Sequence, residues 1–263
     1  MKQNQESSNE KKTKKTRKRG VVIYKIIRFF VWLFYPRIKV VGAENLPDEG
    51  CMVIGNHSQM NGPIAGELYF PGRKMIWCVG EMMELKEVPA YAFRDFWSGK
   101  PRWNRWFYRI LSYVIAPLSV VIFNNANCIG VYHDRRSLQT FRDTLDYLKK
   151  GYRVVIYPEK LTPHDRILYE FQDGFLDIAR LYYRREKQPI SFVPMYLAPK
   201  LKTMYLLEPV VYDPEADWDE EKARIKETIM SRITDMAASL PRHRVVPYAN
   251  LPKKLYPYNR DEE

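Results

Sequence analysis

Hydrophobic and polar positions alternate in short blocks along most of the chain. "RIKVVG" alternates with a period of two and predicts a strand, and the turn-rich "AENLPDEG" after it predicts a connector. "CMVIGN" and "KMIWCVGE" read as buried strands, and "YRVVIYPE" as a third that stops at Pro158. "ISFVPMYLA" and "TMYLLEPVVYD" supply two more. Between these blocks the period lengthens. In "SLQTFRDTLDYLKKG", Leu138, Phe141, Leu145 and Leu148 fall three or four apart, and two lysines and a glycine close the run. That pattern predicts an amphipathic helix with a C-terminal stop. "FLDIARLYYRR" predicts a second helix, and "WDEEKARIKETIMSRITDMAASL" a long one whose early acids complement the helix dipole. The alternation predicts an α/β fold, a mostly parallel central sheet flanked by helices, with chemistry at the carboxyl ends of the strands.

Two stretches depart from that rhythm. "VVIYKIIRFFVWLFYP" is an apolar and aromatic run interrupted by Lys25 and Arg28, shorter than the ~20 apolar residues of a membrane span. The cations share one helix face while Phe29, Phe30 and Trp32 cover the rest, so residues 20–36 predict an interfacial membrane helix, with an ordinary core helix as the alternative. No small-residue cleavage site follows, which argues against a signal peptide. The second stretch, "WSGKPRWNRWFYRILSYVIAPLSVVIFNN", forms an aromatic apolar insertion near 97–125. Tryptophans and basic residues at its start mark an interfacial anchor. With Pro117 near its middle it fits a buried core helix equally well.

Composition narrows the picture. A chain of 263 residues fits one α/β domain with decorations, and 46% hydrophobic content excludes global disorder. The net charge is +12, and half of it sits in residues 1–19, where eight Lys and Arg face two Glu. That segment predicts a disordered basic tail. Such a tail binds nucleic acid or anionic lipid, at ~1 kcal/mol per basic residue near the surface. The aromatic helix directly behind it favours a phospholipid surface, and no nucleic-acid partner is expected. Cys51, Cys78 and Cys128 lack paired spacing, as in a reducing cytosol, and are expected to be buried apolar residues. The four histidines lack ligand spacing, so no metal is expected, and His164 and His243 are expected at the surface.

The chemistry centres on "VIGNHSQMNGPIAGEL". His57 stands where an apolar strand ends beside a tight turn, a common place for a general base. Pro63 suits the first turn of a helix, with Asn61 or Gly62 as its cap.

Four ordered blocks carry a resemblance. "KVVGAENLPDEGCMVIGNHSQMNGPI" resembles the opening of the glycerolipid acyltransferases, the 1-acylglycerol-3-phosphate acyltransferase group, in which Asn-His is followed four residues later by Asp. "CIGVYHDRRS" resembles their second block, a strand ending at an Arg that holds the acceptor's phosphate. "VVIYPEKLTP" resembles the third, usually Phe-Pro-Glu-Gly-Thr-Arg, and "ISFVPMYL" the Val-Pro of the fourth. "FQDGF" matches a Phe-x-x-Gly turn, and the likeness runs from about Arg37 to Val211, placing an acyltransferase-like domain over 37–263.

The resemblance implies transfer of a fatty acyl group from a thioester, on coenzyme A or acyl carrier protein, to a hydroxyl of a lysophospholipid or related glycerolipid or glycolipid. No cofactor beyond that acyl donor is implied, and the place of work is the cytoplasmic face of a membrane. His57 would be the base and Glu159 would organise the site. Asn56, Pro158 and Lys160 would contact substrate, with Arg135 on the acceptor's phosphate; His133 in that place, the other register, would imply an acceptor without a phosphate.

The chain departs from the family where the mechanism is most exposed. Gly62 stands at the position of the family's Asp, and in serine hydrolases loss of the equivalent charge costs ~10⁴ in rate. Asn61 through its amide oxygen, Glu67, or Glu81 would then have to orient the ring. Lys160 replaces a glycine, and Thr162 stands where the family has Arg, with Arg166 as a substitute. The alternative is a protein that keeps the fold and binds lipid without turnover.

Overall fold

The structure, a computed structural model, describes residues 19–164 and 166–261, with the side chains of 161–165 left out. The expected basic tail over 1–19 lies, apart from Arg19, outside the described residues, as do the side chains of Thr162 and His164. The chain divides into two compact units. The larger comprises Pro36–Trp77 and Ser137–Glu263, and the smaller Met1–Tyr35 and Cys78–Arg136.

In the larger unit the strands are β1 (Lys39–Val41), β2 (Cys51–Gly55), the Lys74–Trp77 part of β3 (Lys74–Val79), β5 (Arg153–Ile156), β8 (Ser191–Ala198), β9 (Thr203–Leu206) and β10 (Val210–Val211). Their order is β1-β9-β8-β2-β5-β3, with β10 beside β8. Pairings β1–β9, β2–β5, β2–β8 and β3–β5 are parallel, and β8–β9 and β8–β10 are antiparallel. The fold is therefore mixed α/β with a mostly parallel sheet. β2 lies at its centre and is buried along its whole length. That is why its sequence is one continuous apolar run rather than an alternating one.

Helices α2 (Asn61–Tyr69), α5 (Ser137–Lys149), α6 (Asp177–Glu186) and α7 (Trp218–Ser239) belong to this unit. Helix α7 buries Ile225, Ile229, Ile233 and Ala237 at four-residue spacing and packs on β8. Its cap Asp217 accepts hydrogen bonds from the N–H groups of Asp219 and Glu220. Trp77 donates its indole N–H to Thr144 of α5 at 2.9 Å. Helix α2 begins two residues before Pro63, so Pro63 occupies its first turn rather than its first position. The predicted strand "TMYLLEPVVYD" is two strands, because Pro209 lacks the N–H a continuous ladder needs. A separate antiparallel hairpin, β6 (Glu159–His164) with β7 (Tyr169–Phe171), follows β5, and the sequence pattern did not predict it.

The smaller unit holds a helix α1 over residues 19–34, α3 (Val88–Ala92), α4 (Arg105–Asn125) and β4 (Cys128–Val131). Its core gathers Met82, Val88 and Ala116 with Tyr91, Val120 and Phe123. The buried face of α4 is made of Ser112, Ala116 and Ser119, and the Ser119 hydroxyl donates to the Met82 carbonyl at 2.9 Å. The other face is open: Trp106, Phe107, Ile110, Tyr113, Val114 and Leu118 are exposed. Arg102–Asn125 is long and apolar enough to cross a membrane, and it is mostly exposed rather than enclosed. Helix α1 likewise exposes Val22, Ile26, Phe29, Phe30 and Leu33 along one stripe, and its Gly20 lies against Asn125 at the end of α4.

Candidate functional site

Parallel register builds the site. β2 and β5 pair Ile54 with Ile156, so the residues three further on, His57 and Glu159, leave the sheet at the same height. The backbone N–H of His57 donates to Glu159 Oε2 at 3.2 Å. Glu159 is 3% exposed, so this carboxylate is a buried brace for the turn that carries the imidazole. The two residues chosen from sequence as catalytic do stand together.

The turn doubles back sharply. Ser58 and Gln59 both have left-handed backbones, with φ of 47° and 54°. Non-glycine residues adopt that region at a cost of order 1–3 kcal/mol each, and hold it only when neighbours over-determine it. Here they do. The Gly62 N–H donates to the His57 carbonyl at 3.0 Å and the Asn61 N–H to Ser58 O at 3.1 Å. The Asn61 amide also donates to Ser58 O, at 2.9 Å.

The outcome is an answer to what holds the ring. His57 Nδ1 meets the Gln59 carbonyl at 2.5 Å. A carbonyl only accepts, so Nδ1 carries the proton and Nε2 keeps its lone pair, a tautomer assigned from the bond itself. The Gln59 carbonyl thus orients the ring at Nδ1, a backbone group where the sequence offered the side chains of Asn61, Glu67 or Glu81. Burial holds the imidazole pKa below its ordinary 6.5, against the opposing pull of the Gln59 hydrogen bond. The half-buried ring is therefore neutral at neutral pH. Tyr248 lies on it with centroids 4.5 Å apart, and Tyr157 meets it edge-on at 5.6 Å.

Gly62 has a steric reason. A Cβ there would stand 2.6 Å from the His57 carbonyl oxygen and 2.9 Å from the Tyr157 ring. The Tyr157 hydroxyl donates to the Gly62 carbonyl at 2.7 Å. Backbone and ring fill the space an aspartate at this position would need.

The remaining expected residues divide. Asn56 is a buried strut whose amide ties the His57 turn to β8. Its Oδ1 accepts from the Leu197 N–H at 2.7 Å, and Nδ2 donates to Leu197 O at 3.0 Å and to Ser58 Oγ at 2.7 Å. Buried Pro158 offers its carbonyl to the Gln172 N–H at 2.8 Å. Lys160 is paired with Glu170 at 2.9 Å, and Arg166 with Asp261 at 2.9 Å. His133 and Arg135 belong to the smaller unit, exposed just after β4. Among the described residues Arg135 has no ion-pair partner, whereas Arg136 is committed to Glu87 and Asp134 and stacks over Tyr132. His243 is buried rather than at the surface, and burial lowers its pKa.

Sequence reasoning missed Gln59, Tyr157, Tyr248 and Tyr256. Nothing in "HSQMN" announces two left-handed residues. The one available signal was the tyrosine-rich "VVPYANLPKKLYPYNR", too aromatic for an idle terminus.

No protein-family model matches the chain, and no curated protein matches it. Among solved structures it is similar to the crystal structure of the 1-acyl-sn-glycerophosphate (LPA) acyltransferase PlsC from Thermotoga maritima. That likeness has 20% identity and a TM-score of 0.47, and covers 89% of this chain and 84% of that one.

Proposed function

We propose that this protein is a membrane-associated acyltransferase that moves a fatty acyl group from an acyl thioester to a hydroxyl of a lysophospholipid or related glycerolipid. The observation that carries the reading is the neutral His57, with its proton held on Nδ1 and its lone pair on Nε2, at the end of the central parallel strand and braced by Glu159. The four sequence blocks supply the reaction class.

In this reading Nε2 takes the proton of the acceptor hydroxyl as its oxygen attacks the thioester carbonyl. The new C–O bond forms and the C–S bond breaks. The proton on the imidazolium then passes to the departing thiolate. Arg135, always charged, is the candidate ligand for an acceptor phosphate. The apolar faces of α1 and α4 are the candidate contacts with acyl chains and headgroups of the bilayer.

Labelled acyl-CoA and a panel of lysolipids, incubated with the protein in detergent, test the activity. His57→Ala should lower the rate by ~10²–10⁴-fold. Turnover equal to that of the variant would favour the second reading, a lipid-binding protein without catalysis, which Gly62 in place of the aspartate supports. Sedimentation with anionic vesicles tests the membrane part. Binding indifferent to salt and to Trp106→Ser with Val114→Ser would remove it.

A further inference from the structure

The ring of His57 is held by a carbonyl, and the residue that owns this carbonyl is pinned from far along the chain. Gln59 Nε2 donates to the Ala249 carbonyl at 3.2 Å, 190 residues away in sequence. The Tyr256 hydroxyl donates to Gln59 Oε1 at 3.2 Å. Tyr248, on the same segment, covers the imidazole face and meets Tyr169 edge-on at 6.1 Å. The segment is itself anchored. Its Arg244 bridges to Tyr258, Val245 donates to Pro257 O at 2.8 Å, and Asn259 closes the end of α7 through the carbonyls of Ala237 and Leu240.

We propose that residues 244–259 form a strap that positions His57 through Gln59, so that a clamped backbone carbonyl selects the imidazole tautomer here. Gln59, Tyr248 and Tyr256 are positioning residues. The physical case is that Gln59 holds an unfavourable backbone conformation, which persists only under outside constraint. Both polar ends of its side chain supply that constraint. A neutral carbonyl fixes direction without contributing negative charge, so the site gains orientation but not the electrostatic support a carboxylate gives to an imidazolium. The proposal rests on the acyl-transfer reading only for the consequence of losing the strap, not for the tautomer.

The test is nitrogen NMR of the full-length protein with ¹⁵N-labelled histidine at neutral pH, with His57→Gln assigning the His57 signals. Wild type should show His57 protonated on Nδ1, the tautomer less favoured by a free histidine side chain. In Gln59→Ala, and more mildly in Tyr256→Phe, that signal should shift toward protonation on Nε2. His243, whose Nδ1 lies on the Pro241 carbonyl at 2.8 Å, should keep its own signal and report an intact fold. In the same variants kcat should fall ~10–100-fold with the acyl-donor KM little changed, as expected when a base is misplaced by a fraction of an ångström. A wild-type His57 protonated on Nε2, or a tautomer unmoved in both variants, overturns the strap. A tautomer that responds in a protein with no turnover upholds the strap and sinks the acyl-transfer reading instead.

Discussion

His57 and His243 lie in the same unit and are held alike at one nitrogen and differently at the other. Each sets Nδ1 on a backbone carbonyl two residues away, of Gln59 in one case and Pro241 in the other. Burial lowers the pKa of both. At His243 the second nitrogen is 3.0 Å from the Tyr196 hydroxyl, which donates to it, and the residue is 5% exposed. At His57 no hydrogen bond from the described residues reaches Nε2, and the ring is only half-buried. A buried neutral histidine with both nitrogens used is a structural element. One with its lone pair left over, at a strand end beside a buried carboxylate, is able to accept a proton.

The sharpest way to break this comparison is to truncate each ring. His57→Ala should lower the activity by ~10²–10⁴-fold and cost less stability than His243→Ala, about 1–2 kcal/mol, since the ring is only partly buried. His243→Ala should do the reverse. It strands the Tyr196 hydroxyl in the core and costs ~1–3 kcal/mol, while the rate per folded molecule holds. Urea melts and initial rates on both variants decide it. If His243→Ala also stopped turnover in folded protein, the contrast between the two rings would be lost.

A second blow falls on the turn. Gly62→Asp installs the residue type of the acyltransferases that the sequence resembles, yet a Cβ at 62 meets the His57 carbonyl oxygen at 2.6 Å. The overpacking should cost ~1–3 kcal/mol and lower activity, read from melting temperature and rate together. A variant faster than wild type would show that the carbonyl is a poor substitute and that the turn yields readily.

Part of this architecture is written in the sequence as local periodicity, and part is not. The period-two runs, the α5 and α7 patterns and the carboxyl-end position of His57 and Glu159 were legible because each depends on burial, which leaves a local periodic trace. The buried β2 was legible for the same reason. The hairpin β6–β7, the left-handed Ser58 and Gln59 and the reach of Tyr256 were not, because long-range contacts impose them without a local signature. Asn56 shows the opposite hazard. A polar residue beside a candidate base invites a ligand role, and only the structure shows that its amide also braces the turn against β8.

Acid sharpens the comparison more gently. Both imidazoles have folded pKa values below the ordinary 6.5, so the unfolded chain binds protons first as pH falls. Their contribution to stability is whole above about pH 6.5 and is lost as pH drops through the lowered folded values. Stability measured by urea should decline from pH 7.5 to 5.5, and less steeply in His243→Gln, which keeps one of the two groups. Activity should follow only the His57 limb, with a midpoint below 6.5. An equal slope in wild type and variant would detach His243 from the acid response.

The smallest effect tests whether Lys160 belongs with His57 or with the scaffold. Its ammonium pairs with Glu170 at 2.9 Å, and Lys226 reaches the same carboxylate at 3.3 Å and Asp173 at 2.8 Å. Hydrogen bonds from Lys160 and then Lys226 hold the Glu170 carboxyl below the usual carboxylate range. The Lys160–Glu170 pair is more than a third exposed on both sides, so Lys160→Ala should change stability by no more than ~0.5–1 kcal/mol, with Lys226 still facing Glu170. An ammonium already matched by a carboxylate attracts a phosphate weakly, whereas Arg135 has no ion-pair partner among the described residues. The KM for a phosphate-bearing acceptor should therefore rise more in Arg135→Ala than in Lys160→Ala, and high salt should narrow the difference. A larger rise in Lys160→Ala would mean that the lysine leaves Glu170 for the substrate, and the hairpin would then belong to the site rather than to its support.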